Sequence, residues 1–154
     1  MSKGDLAKEY FMQGYNCAQS VALAFSDIID MDKTTLLKAI SPFGGGMGRL
    51  REVCGAVSGM FFVLGCVLGY DDANEREGKI ALYKHVQTLA QKFKEENGSI
   101  ICRDLIGVSG AEQPTPEKRT EKYYKKRPCA EMVKTAGDIL EEFLASTPML
   151  INND

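Results

Sequence analysis

Residues 53–69 read VCGAVSGMFFVLGCVLG, seventeen residues without a charge that include four glycines and two cysteines. A membrane-spanning helix needs about 20 predominantly apolar residues. This segment is shorter, its glycines dilute its hydrophobicity, and the chain has no second candidate span. The segment therefore predicts a central helix of a protein core, buried on most of its sides.

The glycines of this segment carry a cost that the fold has to offset. Each glycine in a helix interior loses about 1 kcal/mol against alanine. Gly55 and Gly59 form a GxxxG pair, which lets neighbouring helices approach closely. The sequence therefore predicts either close helix packing or a functional site at this segment.

The rest of the chain shows helical spacing of its apolar residues and no convincing strand pattern. Asn16 is a candidate N-cap, and Ser41-Pro42 ends a later helix. A long helix is predicted from Asn74 to Asn97, where Gly98 follows. Ser99 then caps a short helix.

The C-terminal region adds two more predicted helices to this pattern. One covers residues 117–126, and the last begins at or just after Pro128 and ends at Pro148. A length of 154 residues favours one domain. The predicted fold is therefore all-α, a single-domain bundle of about six to eight helices over residues 1–148 with a C-terminal tail at 149–154.

Charge and composition exclude several classes of function. The chain has 19 basic and 21 acidic residues, a net charge of -2, which argues against a nucleic-acid binder. The first sixteen residues, MSKGDLAKEYFMQGYN, are polar and show no secretory signal. We therefore expect a cytoplasmic protein with no membrane span, in which the five cysteines are not structural disulfides.

The positions of the cysteines suggest that several of the thiols are reactive. The chain has no CxxC motif and a single histidine, His85, so a standard zinc ribbon or finger is not expected. A helix N-terminus stabilises a thiolate and lowers the pKa of a thiol. Cys66, in the middle of the central helix, is predicted to be an inert packing residue. The other four fall in the first turn of predicted helices: Cys17, Cys54, Cys102 and Cys129.

Two further segments need an interpretation. The loop FGGGMGRLRE, residues 43–52, lacks the Lys-Ser or Lys-Thr of a P-loop and follows no strand. We interpret it as a structural loop that brings Cys54 towards other helix ends. The alternative is an anionic cofactor or ligand held by Gly44, Gly45, Gly46 and Arg49. The run EKRTEKYYKKR, residues 117–127, predicts a solvated helix face.

Four motifs spread over nearly the whole chain carry a resemblance to a known family. They are GYNCAQSV, FGGGMGRLREVCGAVSG, CRDLIG and RPCAEMV, one around each helix-start cysteine. The chain resembles the redox-active proteins named for the pattern C_GCAxxG_C_C. The resemblance implies that Cys17, Cys54, Cys102 and Cys129 are the characteristic cysteines and that Cys66 lies outside the pattern. It implies a redox role or metal binding, without fixing a reaction.

Three functions remain open from sequence. The first is thiol–disulfide exchange or electron transfer with an unidentified redox partner protein, as in a thiol-dependent oxidoreductase. Its preferred pairs are Cys17 with Cys54 and Cys102 with Cys129, although the sequence does not fix the pairing. The second is an iron–sulfur cluster or another metal bound by all four thiolates. The third is a non-enzymatic helical interaction module with buried thiols; the apolar residues 149–151 also leave a homodimer open.

Overall fold

The computed structural model describes residues 1–147 of the chain. Within this range the only β-structure is one isolated bridge, so the all-α prediction is confirmed. One of the helical segments, α4, is a four-residue turn, and the other eight match the predicted number. The predicted C-terminal tail and its suggested role in a dimer lie outside the described residues. The segments are α1 Lys3–Met12, α2 Cys17–Ala24, α3 Lys33–Ile40, α4 Gly44–Met47, α5 Gly55–Leu68, α6 Arg76–Asn97, α7 Cys102–Ile106, α8 Glu121–Lys126 and α9 Cys129–Ala145.

The predicted central helix is α5, which packs against α2, α6 and α9, while α1 covers α2 and α9. Its first glycines are the points of closest approach. A Cβ on Gly59 would lie 2.9 Å from Cβ of Val21, and a Cβ on Gly55 would lie 3.0 Å from Cβ of Cys17. Close packing of α5 on α2 therefore offsets the helix cost of the GxxxG glycines.

The burial of α5 differs from the prediction along its length. Its first ten residues are mostly buried, but Gly65 and Cys66 are exposed. A Cβ on Gly65 would meet nothing within 4 Å, because no element of the described part of the chain covers that side of the helix. The prediction of a buried Cys66 is therefore wrong. No helix within residues 1–147 is both long and apolar enough to cross a bilayer.

The predicted helix starts agree with the structure to different degrees. The side-chain oxygen of Asn16 accepts a hydrogen bond from the backbone N–H of Gln19 at 2.8 Å, and the Gln19 side chain bonds back to Asn16. Ser99 does not cap α7. Its hydroxyl oxygen accepts a hydrogen bond from the N–H of Ile101, and α7 begins at the next residue, Cys102. Thr120 caps α8, so the predicted helix at 117–126 is shorter than expected.

Candidate functional site

The starts of four helices meet around one cavity of about 350 Å³. Cys17, Cys102 and Cys129 are the first residues of α2, α7 and α9, and Cys54 directly precedes α5. All four cysteines line the cavity wall, whereas Cys66 does not. The structure thus brings together the four cysteines that the sequence selected.

A short piece of paired backbone places two of these cysteines. Val53 and Ile101 form the isolated antiparallel bridge. The N–H of Cys54 donates to the carbonyl of Ile100 at 2.8 Å, and the N–H of Cys102 donates to the carbonyl of Glu52 at 2.6 Å. These bonds tie the segment before α5 to the segment before α7. No sequence pattern predicts the bridge, because a single pair of residues has no alternating pattern.

The glycine-rich loop runs through the left-handed region of backbone space. Gly45, Gly46 and Gly48 have φ values of 69°, 66° and 59°, and Met47 and Arg49 share the same conformation. For a residue with a side chain this conformation costs roughly 1–2 kcal/mol. The loop is therefore a strained left-handed turn held in place by its surroundings.

Gly46 explains why this turn needs glycine. A Cβ on Gly46 would lie 2.6 Å from Cβ of Cys102 and 2.9 Å from Cα of Arg51. Only glycine allows the loop to lie directly against these two residues. The glycines thus determine how closely the loop approaches Cys102.

Arg51 is a buried charge at the side of this loop. Only 6% of its surface is exposed, and its Nη1 lies 3.6 Å from Sγ of Cys102. Its Nε donates to Oε1 of Glu112 at 2.7 Å, and Nη2 of Arg49 lies 3.6 Å from Oε2 of the same carboxylate. Although burial opposes it, Arg51 lowers the pKa of Glu112, so this carboxylate stays ionised and positions both arginines.

The segment before α9 forms the opposite wall of the cavity. Arg119 donates to the carbonyl oxygens of Phe11 and Tyr15, and its guanidinium lies 3.9 Å from the centre of the Phe11 ring. Arg127 is 8% exposed and donates to Glu117 at 2.5 Å. The prediction of a solvated face is therefore wrong for the two arginines. Only Arg127 had a signal in the sequence, because it lies two residues before Cys129.

Cys17 and Cys129 lie side by side and differ in acidity. The neighbouring Cys17 thiol, together with the charge of Arg127, lowers the pKa of Cys129 to about 7. The same interaction and burial raise the pKa of Cys17 well above its usual value. Cys17 thus interacts most strongly with Cys129, whereas the preferred pairs from sequence were Cys17 with Cys54 and Cys102 with Cys129.

The other two thiols of the cavity are hard to ionise. Burial raises the pKa of Cys54 to about 12, although the backbone N–H groups of Ala56 and Val57 work in the opposite direction. Burial also raises the pKa of Cys102, despite the neighbouring Arg51. The lowered pKa that the sequence predicted at helix starts is found at Cys129 and not at Cys54 or Cys102.

Four cysteines around one cavity raise the question of a metal centre. Thiolates are suitable ligands for iron–sulfur clusters and zinc. However, among residues 1–147 no group of three or more histidine, cysteine, aspartate or glutamate side chains lies close enough together to hold a metal ion. The observed geometry is therefore that of thiols distributed around a cavity, with one close pair.

Fold and site define an all-α protein whose helix starts carry four cysteines into one cavity. The family model described as "Putative redox-active protein (C_GCAxxG_C_C)" matches residues 15–143. The chain belongs to this family, which confirms the resemblance found in its motifs. Neither the curated proteins nor the solved structures include a match to this chain.

Proposed function

We propose that this protein carries out thiol–disulfide exchange through a redox pair formed by Cys129 and Cys17. The observation that carries the proposal is that two half-buried, neighbouring thiols of the cavity wall have pKa values shifted in opposite directions. A pKa of about 7 leaves a large fraction of Cys129 as thiolate at neutral pH, and the thiolate is the nucleophile. Cys17 stays protonated beside it.

In the first step, the Cys129 thiolate attacks one sulfur of a partner disulfide. The bond between the two partner sulfurs breaks, and the departing thiolate takes a proton from solvent. Cys129 is now joined to the partner in a mixed disulfide and no longer carries a negative charge.

In the second step, Cys17 resolves the mixed disulfide. The negative charge of Cys129, which helped to hold the pKa of Cys17 high, is then gone, so Cys17 loses its proton more readily. Its thiolate attacks Sγ of Cys129 and releases the second partner sulfur as a thiolate, which takes up the proton that Cys17 lost. The protein has lost two electrons and the one proton of Cys17 to form one disulfide. The partner disulfide has gained the two electrons, that proton and the proton taken from solvent in the first step.

Neighbouring groups support the roles of Cys129 as the attacking thiolate and Cys17 as the resolving thiol. Arg127, Arg51 and Arg119 all lower the pKa of Cys129 through their positive charge. Burial, together with the two thiols, raises the pKa of Tyr123 to about 12, so its hydroxyl remains protonated where Cys129 is ionised.

The experiment is a trapping reaction with 4,4′-dithiodipyridine, a neutral disulfide that releases a coloured thiol. It uses the Cys66→Ser protein, which removes the exposed thiol outside the cavity. This parent should rapidly release two thiols per chain and form an internal disulfide. Adding Cys17→Ser should reduce the rapid release to one and leave a stable adduct on Cys129. Rapid release of two thiols in both proteins, or an adduct on another cysteine, would contradict the proposal.

A further inference from the structure

We infer that the redox partner of this cavity is a small disulfide or thiol carrying an anionic group such as a carboxylate, bound by Arg49 and Arg127 beside Cys129. The inference rests on the proposed function and names its substrate class. It replaces the protein partner that the sequence suggested with a small molecule.

The charge of the cavity favours an anion. Arg49, Arg51, Arg119 and Arg127 line it, and among residues 1–147 no lysine or aspartate does. Two carboxylates lie against these arginines: Glu112 pairs with Arg49 and Arg51, and Glu117 pairs with Arg127. Four guanidinium groups against two carboxylates leave an excess of positive charge, which persists when Cys129 ionises. Positive clefts with low-dielectric walls concentrate anions.

Two of these arginines also keep buried donors without partners. Nε of Arg49 and Nε of Arg127 are buried and have no hydrogen-bond partner within residues 1–147. The Arg127 side chain is only 6% exposed, so water cannot freely replace a missing acceptor. A buried N–H without an acceptor costs about 1–3 kcal/mol. An anionic oxygen in the cavity would supply acceptors where the protein supplies none.

The size and remaining walls of the cavity fit a small molecule. A volume of about 350 Å³ is at the lower end of the range for small-ligand sites. Apolar side chains complete the lining, among them Phe11, Leu105 and Met132. Arginine forks fix the anionic end of a ligand, and apolar walls accept its carbon and sulfur atoms.

The test compares two alkylating reagents of nearly the same size, anionic iodoacetate and neutral iodoacetamide. Their rates are measured at Cys129 and Cys66 of the wild-type chain by mass spectrometry at low ionic strength. Cys66 is an internal control, since it is exposed and lies outside the cavity. The ratio of the iodoacetate rate to the iodoacetamide rate should be about tenfold higher at Cys129 than at Cys66. Added sulfate should reduce that ratio at Cys129.

The matched variants are Arg49→Gln and Arg76→Gln. Arg49 is chosen because Arg127 also lowers the pKa of Cys129. Arg49→Gln should remove most of the preference for iodoacetate at Cys129, and Arg76→Gln, at the exposed start of α6, should retain it. Equal ratios at Cys129 and Cys66, or a ratio unaffected by Arg49→Gln, would overturn the anion site alone. A Cys129 inert to both reagents would overturn the proposed function together with it.

Discussion

The cavity contains two kinds of cysteine. Cys17 and Cys129 are half-buried neighbours, whereas Cys54 and Cys102 are each about 6% exposed and fixed by the backbone bridge. All four lie at helix starts. The four thiols line the same cavity but differ in acidity. The pKa is lowered at Cys129 and raised at the other three.

The difference shows that a helix N-terminus does not by itself make a thiol reactive. At Cys54 the N–H groups of α5 face the sulfur, yet burial outweighs them. At Cys102 even the adjacent guanidinium of Arg51 does not compensate for burial. Cys129 combines partial exposure, a neighbouring thiol and nearby arginines. Desolvation and specific charges therefore decide which thiol ionises.

The largest expected effect separates the two kinds of cysteine directly. Cys129→Ser should reduce the rate of exchange with 4,4′-dithiodipyridine by at least about 100-fold, because a serine hydroxyl is not ionised at neutral pH. Cys102→Ser should slow the same reaction by less than about tenfold. The measurement is stopped-flow absorbance of the released thiol. A greater loss in Cys102→Ser than in Cys129→Ser would invert the assignment.

The next prediction tests how tightly the loop is held against the buried cysteines. Gly46→Ala should destabilise the fold by roughly 2–4 kcal/mol, because the new Cβ would clash with Cys102 and the backbone of Arg51 in a left-handed conformation. Gly65→Ala is the matched control: it lies in helix α5 with open space around it and should stabilise by about 0.5–1 kcal/mol. Urea unfolding followed by circular dichroism measures both. Equal effects of the two substitutions would mean that the loop does not pack as described.

A smaller effect is expected in the pH dependence of alkylation at Cys129. The iodoacetamide rate at Cys129 should rise with pH and reach its midpoint at about 7, because the reactive thiolate forms as pH passes through the pKa. Arg127→Gln removes a positive charge and should move that midpoint upward, with a fall of about fivefold in rate at pH 7. A midpoint that is unchanged in Arg127→Gln would show that Arg127 does not stabilise the thiolate.

The smallest expected effect concerns the cysteine outside the cavity. Cys66→Ser should leave the exchange rate of Cys129 unchanged and alter the free energy of unfolding by no more than about 0.5 kcal/mol, since Cys66 is exposed. Stopped-flow exchange and urea unfolding check the two parts. A marked loss of exchange activity would bring Cys66 into the chemistry.

The sequence predicted the fold class because its signals are local. Apolar spacing defined the helices, Asn16 marked the start of α2, and the glycines of α5 indicated close packing. It also selected the four cavity cysteines, because each lies at a helix start. The exposed side of α5 at Cys66 depends on which neighbours cover it, which no local pattern records.

The chemistry within the site could not be predicted in the same way. The approach of Cys17 to Cys129 brings together the starts of two helices that are far apart in the sequence, and the bridge that fixes Cys54 and Cys102 is a single residue pair. The burial of Arg127 depends on the fold of the whole segment before α9. The acidity of each thiol depends on these three-dimensional surroundings. Position at a helix start therefore predicted a lowered pKa at more cysteines than have one.

The most direct test of the central claim is to locate the first disulfide that forms. The protein is purified without oxygen, its metal content is measured, and it is oxidised with one equivalent of 4,4′-dithiodipyridine before peptide mapping by mass spectrometry. The proposed pair predicts a Cys17–Cys129 disulfide and no stoichiometric metal. A Cys17–Cys54 link, or a stoichiometric metal that protects all four cavity thiols, would contradict it.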